Sequence, residues 1–363
     1  MRKAVLALIA LISTGLYVFS SNSNIMLQYF NYRVKLNSVF GTDRSRYGDL
    51  YGLSYLPDFK KDDPLDTAAY PDTVRGVKRD INLYVLCNSY IYAFVKTEAI
   101  FAGVKRYWFG RPGLFDDPVV KFDSTERNVL LLQSTEHFLH NLTIPGLLTG
   151  SLVTTPSKSK VDTLPSEFEK KVNVAKLPVN NMLFNPRIHE TLEFNLFDYR
   201  FLTPLKELKA QITYKWFNRT DHAVRISSDK KYLFMASSVD TSNNSSSFKK
   251  VTDQEINEYV MLLNQAYDHY KSLGFDEVYL SIIPSAVTIL APNMGEYNNI
   301  IPRIQNHPDL KMPYIDIYKK FRYSKESIYQ TSDMHWNYNG FRIWVNEFNK
   351  TLQNTYKNDK FKK

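Results

Sequence analysis

Ile81-Asn82-Leu83-Tyr84-Val85-Leu86-Cys87-Asn88-Ser89-Tyr90 decides how the chain is read. A compact apolar run, Ile81 to Cys87, is too short for a core helix and rich in strand formers. Asn88-Ser89 ends it, and Tyr90 to Lys96 continues with helix-compatible spacing. The segment therefore reads as strand, tight turn, helix. Downstream the pattern recurs. Arg127-Asn128 introduce a second buried strand, Val129 to Leu132, and a helix is expected through Phe138 and Leu139, with Ser134 or Thr135 as its cap and Glu136 adding charge to its first turn. Thr252 to Leu273 carries the clearest helical period, with a Thr252/Glu255 capping box and Gly274 at its end. Val278 to Ile283 reads as a strand stopped by Pro284, Tyr314 to Ile317 as another, and Asn339-Gly340 to Leu352 as a last helix. Tyr232 to Phe234 reads as a strand, and Leu192 to Leu208 as a short strand followed by a helix. Strands alternating with helices predict an α/β fold with a mostly parallel central sheet.

The rest of the chain is read outward from that domain. Arg2-Lys3, the apolar run Ala4 to Phe19 and the polar Ser20 to Asn24 form a signal peptide or N-terminal membrane anchor, 1–24. Residues 25–78 are rich in Tyr, Asp and Pro and read as an irregular N-terminal segment with a short helix. The α/β domain is expected over 79–355, with a polar excursion near 151–180, and 356–363 is a basic, solvated tail. Asp240 to Lys250 reads as a flexible loop.

Composition narrows the function classes. The 363 residues are 44% hydrophobic and 23% charged, which excludes a disordered chain. One cysteine excludes an intramolecular disulfide framework and a cysteine-based zinc cluster. The seven histidines show no metal-ligand spacing, and no Gly-rich phosphate loop is present, so neither a metal nor a cofactor is expected. The net charge of +9 is diffuse, which argues against nucleic acid as partner in an exported chain. Tyr 25 and Phe 23 are a surplus of aromatics, most of it expected in the core.

Two places carry chemistry. Ser89 stands at the C-terminal end of a buried strand with a helix behind it, where parallel α/β sheets put their sites. Asp333-Met334-His335-Trp336-Asn337 lies near the other end of the chain. A carboxylate and an imidazole two residues apart in a loop can converge, so that Asp333 orients His335 and His335 takes a proton from Ser89. Ser134, after the second strand, is the rival nucleophile. His137 and His140 read as ordinary helix residues.

Asp333-Met334-His335-Trp336-Asn337-Tyr338-Asn339-Gly340 resembles the Asp-x-His-Trp signature of the alginate O-acetylation proteins, a branch of the SGNH/GDSL hydrolase superfamily. Lys230 to Phe234 resembles that family's Gly-Trp-Leu-Phe strand. Thr252 to Leu273, Val278 to Pro284, Val287 to Pro292 and Tyr314 to Tyr318 follow in the family's order, so the likeness runs over roughly residues 225 to 350. Cys87-Asn88-Ser89-Tyr90 stands for the family's Gly-Asp-Ser-Phe turn, with Cys87-Asn88 in place of Gly-Asp. The serine then precedes the histidine, a circular permutation relative to the alginate branch. The resemblance implies an SGNH-like three-layer sandwich and an exported serine O-acyltransferase or esterase acting on a polysaccharide. It implies a multispanning membrane acyltransferase as donor and a periplasmic site anchored to the inner membrane. It also implies oxyanion donors, for which Gln133 and Gly103 stand by position, and a sugar site beside Tyr90, Trp336 and Asn337. The alternative is an inactive glycan-binding or scaffold protein of the same fold. N-glycosylation sequons, among them those at Asn141, Asn218, Asn244 and Asn349, matter only in a eukaryotic host.

Overall fold

The computed structural model describes residues 2–61, 78–92, 94–95, 97–110, 126–139 and 185–359. The expected excursion at 151–180, the end of the basic tail, His140 and Asn141 lie outside these residues. The described elements begin with helices α1 (Arg2–Ser21), α2 (Ser23–Lys35) and α3 (Asp49–Ser54). Strand β1 (Ile81–Leu86), helix α4 (Ser89–Tyr92), strand β2 (Val104–Gly110), strand β3 (Arg127–Thr135) and helix α5 (Glu136–Leu139) follow. Helices α6 (Ile188–Phe197) and α7 (Thr203–Phe217) precede the hairpin of β4 (Val224–Ile226) and β5 (Leu233–Met235). After α8 (Ala236–Val239) come α9 (Asp253–Ser272), β6 (Glu277–Ile283), α10 (Ala286–Leu290), α11 (Ile300–Gln305), α12 (Tyr318–Arg322) and α13 (Tyr338–Asp359).

The chain divides into two compact units. One comprises 1–62 and 157–220, the other 63–156 and 221–363. The first unit is helical, built from α1, α2, α3, α6 and α7. The sequence reading draws no such division. For 25–78, where irregular structure with a short helix is expected, α2 forms thirteen residues of helix beginning at Ser23 and α3 six more. The reading also places a strand at the start of 192–208, where two helices stand. Arg33 on α2 is buried in this unit. Its guanidinium donates to the carbonyls of Phe40 and Phe194 and stacks over the rings of Tyr199 and Phe194, so its charge is solvated by backbone oxygen and π-faces instead of water.

The second unit is an α/β arrangement around a four-stranded parallel sheet in the order β2-β1-β3-β6. Both faces of the sheet are covered, which is why β1, β3 and β6 are buried along their length without alternation. Ile81, Leu83, Val85, Val129 and Leu131 face a cluster with Phe341, Trp344 and Phe348 of α13. Tyr84, Leu86, Leu130 and Leu132 face the opposite cluster, with Ile256, Val260 and Leu263 of α9. The α9 capping box forms as expected, with Thr252 and Glu255 bonding each other's backbone N–H. Gly274 closes the helix at φ 102°, a conformation that costs glycine little.

Four segments differ from expectation. Strand β2 went unread. The second strand extends to Thr135, so Ser134 and Thr135 lie in the ladder opposite Ile282 and Ile283 and cap nothing. Tyr314 makes one parallel bridge to Leu280 instead of a full strand. The 240–250 loop is irregular, but Ser245, Ser246 and Ser247 in it are buried. The sequon residue Asn349 is buried too. Its side chain accepts from Ala102 N–H and donates to the Ile100 carbonyl, stitching α13 to the segment before β2, so it cannot carry a glycan in this fold.

Candidate active site

The strand order fixes where a site can form. From β1 the chain passes to β2 on one side, then returns across β1 to β3 and on to β6 on the other. The connections diverge between β1 and β3, and the crevice at the C-terminal ends of those two strands is a topological switch point. Ser89 follows β1 there, and Gln133 to Glu136 end β3.

The turn after β1 is held from within and from β3. Asn88 accepts a hydrogen bond from Tyr90 N–H through its own side chain, at 3.1 Å, which is the local turn chemistry that asparagine offers. Its backbone N–H donates to Gln133 Oε1 at 3.0 Å. Ser89 is thereby presented half-buried at the start of α4.

His335, 246 residues further on, meets it. Ser89 Oγ lies 2.6 Å from His335 Nε2. His335 Nδ1 lies 2.5 Å from Asp333 Oδ1, and the same oxygen accepts the His335 backbone N–H at 2.9 Å. An ionised carboxylate only accepts, so Nδ1 carries the proton and Nε2 offers its lone pair to the serine hydroxyl. Asp333 is buried and His335 nearly so. The three residues expected to act together are thus in hydrogen-bonded sequence.

The loop that carries His335 is fixed to the serine's helix. Trp336 Nε1 donates to the Tyr90 carbonyl at 2.9 Å, and the Tyr90 hydroxyl donates to the Met334 carbonyl. The rings of Tyr90 and His335 are 4.6 Å apart. Burial, with the charges of Asp333 and Glu136 adding to it, holds the Tyr90 phenol far above its usual range, so it stays a neutral donor.

These contacts correct the expected sugar site. Trp336 is 0% exposed and Tyr90 6%, so both are packing and hydrogen-bonding supports and offer no ring face to a sugar. Asn337 is an N-terminal cap. Its Oδ1 accepts from Asn339 and Gly340 N–H, and its Nδ2 donates to the Ser327 carbonyl, so its amide is committed. Gly340 has its own reason to be glycine: a Cβ there would stand 2.5 Å from the Ile328 carbonyl oxygen.

The two expected oxyanion residues separate. Gly103 precedes β2 and its carbonyl accepts from Asp80 and Ile81 N–H, at the start of β1. Ser89 follows the other end of that strand, about 20 Å of extended chain away, so Gly103 cannot serve the site. The glycine beside the turn is Gly110, whose carbonyl accepts Cys87 N–H. Gln133 is in place. Its Oε1 is committed to Asn88, which fixes the amide, and its buried Nε2 has no hydrogen-bond partner among the described residues. A buried donor left unmatched costs about 1–3 kcal/mol and calls for a reason. The rival Ser134 is buried in β3 with its hydroxyl turned to the Thr135 carbonyl.

Glu136 is the residue whose place sequence reasoning missed. Read in the sequence as a favourable charge in a helix's first turn, it is in fact fully buried. Its Oε2 accepts Ser285 N–H and Thr288 Oγ1, both at 2.8 Å, which ties the end of β3 to the loop after β6. The available signal was an acid closing a strand that begins in a continuous apolar run, with no Lys or Arg within eight residues on either side. Burial pushes its carboxyl up from 4.5 to about 7, against the hydrogen bonds of Ser285 and Thr288, which pull it down. The folded value lies above the unfolded one, so the folded chain holds the extra proton between them, and this group's contribution to stability falls as pH rises from about 4.5 to about 7. Glu136→Gln removes that titration. Relative to the parent chain, the variant is expected to gain denaturant resistance between about pH 5 and about pH 8, by up to roughly 3 kcal/mol, with little difference at the acid end. A pH-independent offset in urea titrations would contradict the assignment.

Comparison with protein-family models, curated proteins and solved structures gives no match for this chain.

Proposed function

We propose that the protein is an exported serine-dependent O-acyltransferase or esterase acting on a cell-envelope or exported polysaccharide. The observation that carries this reading is the Ser89–His335–Asp333 relay: a 2.6 Å contact joins Ser89 to His335 from distant parts of the sequence, and a 2.5 Å contact within one loop joins His335 to Asp333. Ser89 Oγ attacks the carbonyl carbon of an acyl donor while His335 Nε2 takes the hydroxyl proton. The tetrahedral intermediate collapses, the donor's leaving group takes that proton from Nε2–H, and an acyl ester remains on Ser89. A sugar hydroxyl, or water in an esterase, then gives its proton to Nε2 and attacks the ester, which returns Ser89 to its hydroxyl. The oxyanion would be met by Ser89 N–H and Gln133 Nε2, which gives that buried donor its partner.

The parallel sheet with helices on both faces, and a serine after β1 with Asp-x-His before the last helix, support an SGNH-like three-layer sandwich of serine-first order. The apolar helix α1 is long enough to cross a membrane and almost entirely unburied, which supports a signal anchor and a periplasmic or extracytoplasmic site. A multispanning membrane acyltransferase would then supply the acyl group. The complete relay favours the enzyme over the glycan-binding scaffold, which would have had its aromatic platform in Tyr90 and Trp336.

A fluorophosphonate probe tests this directly. The parent chain is expected to be labelled, and Ser89→Ala to abolish labelling. Labelling that persists in Ser89→Ala would remove the nucleophile. Gln133→Glu keeps the acceptor for Asn88 but loses the Nε2 donor. It is expected to lower turnover of a small activated ester about 100-fold while the fold stays intact by circular dichroism.

A further inference from the structure

Helix α7 of the first unit is packed the wrong way round for a water-facing helix. Its inward side is charged and polar. Glu207 accepts from the Tyr51 hydroxyl at 2.6 Å and from Lys60 at 2.8 Å, and Lys206 pairs with Asp198 at 3.3 Å over the Tyr55 ring. Its outward side is apolar. Leu205, Leu208, Ile212 and Trp216 recur at helical spacing on one face, with Leu205 63% and Trp216 78% exposed. Phe217 at the helix end and Phe201 before its start are exposed as well. A soluble surface helix has the reverse polarity, and a patch of this kind marks a covered surface.

Two further observations point to what covers it. The exposed charges on α7 are Lys209 and Lys215, while its one acid, Glu207, is turned inward, so the face is apolar with a cationic border. The same unit also carries α1, the apolar helix of 20 residues with only 11% of its hydrophobic window buried. The polar end of α1 is bonded to this unit: Asn195 Nδ2 of α6 donates to Ser20 Oγ at 2.7 Å, and Asn185 Nδ2 to the Ser21 carbonyl at 3.0 Å. The exit point of α1 is therefore tied to α6, whose own end exposes Leu196 and Phe197 a few residues before α7. Apolar side chains with tryptophan, bordered by lysines, are the composition of a helix lying in a bilayer interface.

We propose that α7 is an interfacial membrane helix that sets the Leu205–Trp216 face into an anionic lipid surface beside α1. The first unit then grips the membrane at two places instead of hanging from a single span. The proposal does not depend on the acyl-transfer chemistry.

The test uses the full chain in vesicles of equal parts phosphatidylcholine and phosphatidylglycerol, with and without brominated acyl chains. Trp216 is read as the difference between the parent and Trp216→Tyr. Trp216 emission is expected to shift to the blue on vesicles and to lose about half or more of its intensity to brominated lipid, the depth of an interfacial side chain. If the chain floats with the vesicles but Trp216 is quenched by aqueous iodide and not by bromolipid, the α7 proposal falls while the α1 anchor stands. The same result would hand the face to a membrane protein partner. If the chain does not float at all, both fall.

Discussion

His335→Ala and Asp333→Asn are each expected to cut turnover of an activated ester by about a thousandfold or more, with Ser89→Ala losing the covalent step altogether. The size follows from the geometry. His335 is the one hydrogen-bond partner seen for the Ser89 hydroxyl among the described residues, so its loss leaves that hydroxyl without a base. Asp333→Asn is the sharper test because it changes almost no volume. Asp333 Oδ1 accepts both the Nδ1–H and the backbone N–H of His335. An asparagine keeps the shape but not the negative charge, so it no longer stabilises the imidazolium that forms as His335 takes the Ser89 proton, and it holds the Nδ1–H tautomer less firmly. Since the three residues act as a unit, the double variant His335→Ala/Asp333→Asn is expected to lose little more than either single one. Losses that multiply, or an unchanged rate in Asp333→Asn, would separate these residues from one mechanism.

Trp336→Ala is expected to destabilise the second unit by about 3–5 kcal/mol, read as a lowered urea midpoint. The indole is fully buried and makes ring contacts with Phe94, Phe321, Phe341 and Trp344, with centroids between 5.9 and 6.2 Å. It also joins the two halves of the site through its bond to the Tyr90 carbonyl. Trp336→Phe separates these roles. It keeps most of the packing and leaves that carbonyl without its donor, so a smaller stability loss should accompany a clear loss of turnover. If Trp336→Ala instead left stability unchanged and weakened only glycan affinity, the side chain would be a sugar platform and its burial in the core would be misassigned.

The second prediction shows where reading the sequence reaches its limit. Trp and Asn beside a histidine look alike in a binding groove and in a cap or core, because residue type does not encode burial. Trp336 and Asn337 were legible as part of the loop and illegible as its support. Strands β1 and β3 in the middle of the sheet, and β6 at its far end, were readable because burial on both faces leaves continuous apolar runs. Strand β2 was not, since it is an edge strand whose Lys105 and Arg106 face solvent, the usual protection of an edge. Missing β2 also made Gly103 and Gly110, which bracket it, indistinguishable as neighbours of Ser89. Only the start of α7 was read, within 192–208, and its outward apolar face was not, because hydrophobic period alone does not say toward what a face points. Ser89 was legible from its place after a buried parallel strand, and Asp333 and His335 from a two-residue spacing that lets a carboxylate and an imidazole converge. The hydrogen bond that joins Ser89 to His335 was not legible, because it closes across 246 residues.

The most direct test of the central claim is to incubate the chain with an activated acetyl ester, quench it, and map the acetyl group by peptide mass spectrometry. The account predicts one acetyl on the peptide containing Ser89, absent in Ser89→Ala and strongly reduced in His335→Ala. Acetylation at Ser134 or elsewhere, or none on the Ser89 peptide while the ester is turned over, would contradict it.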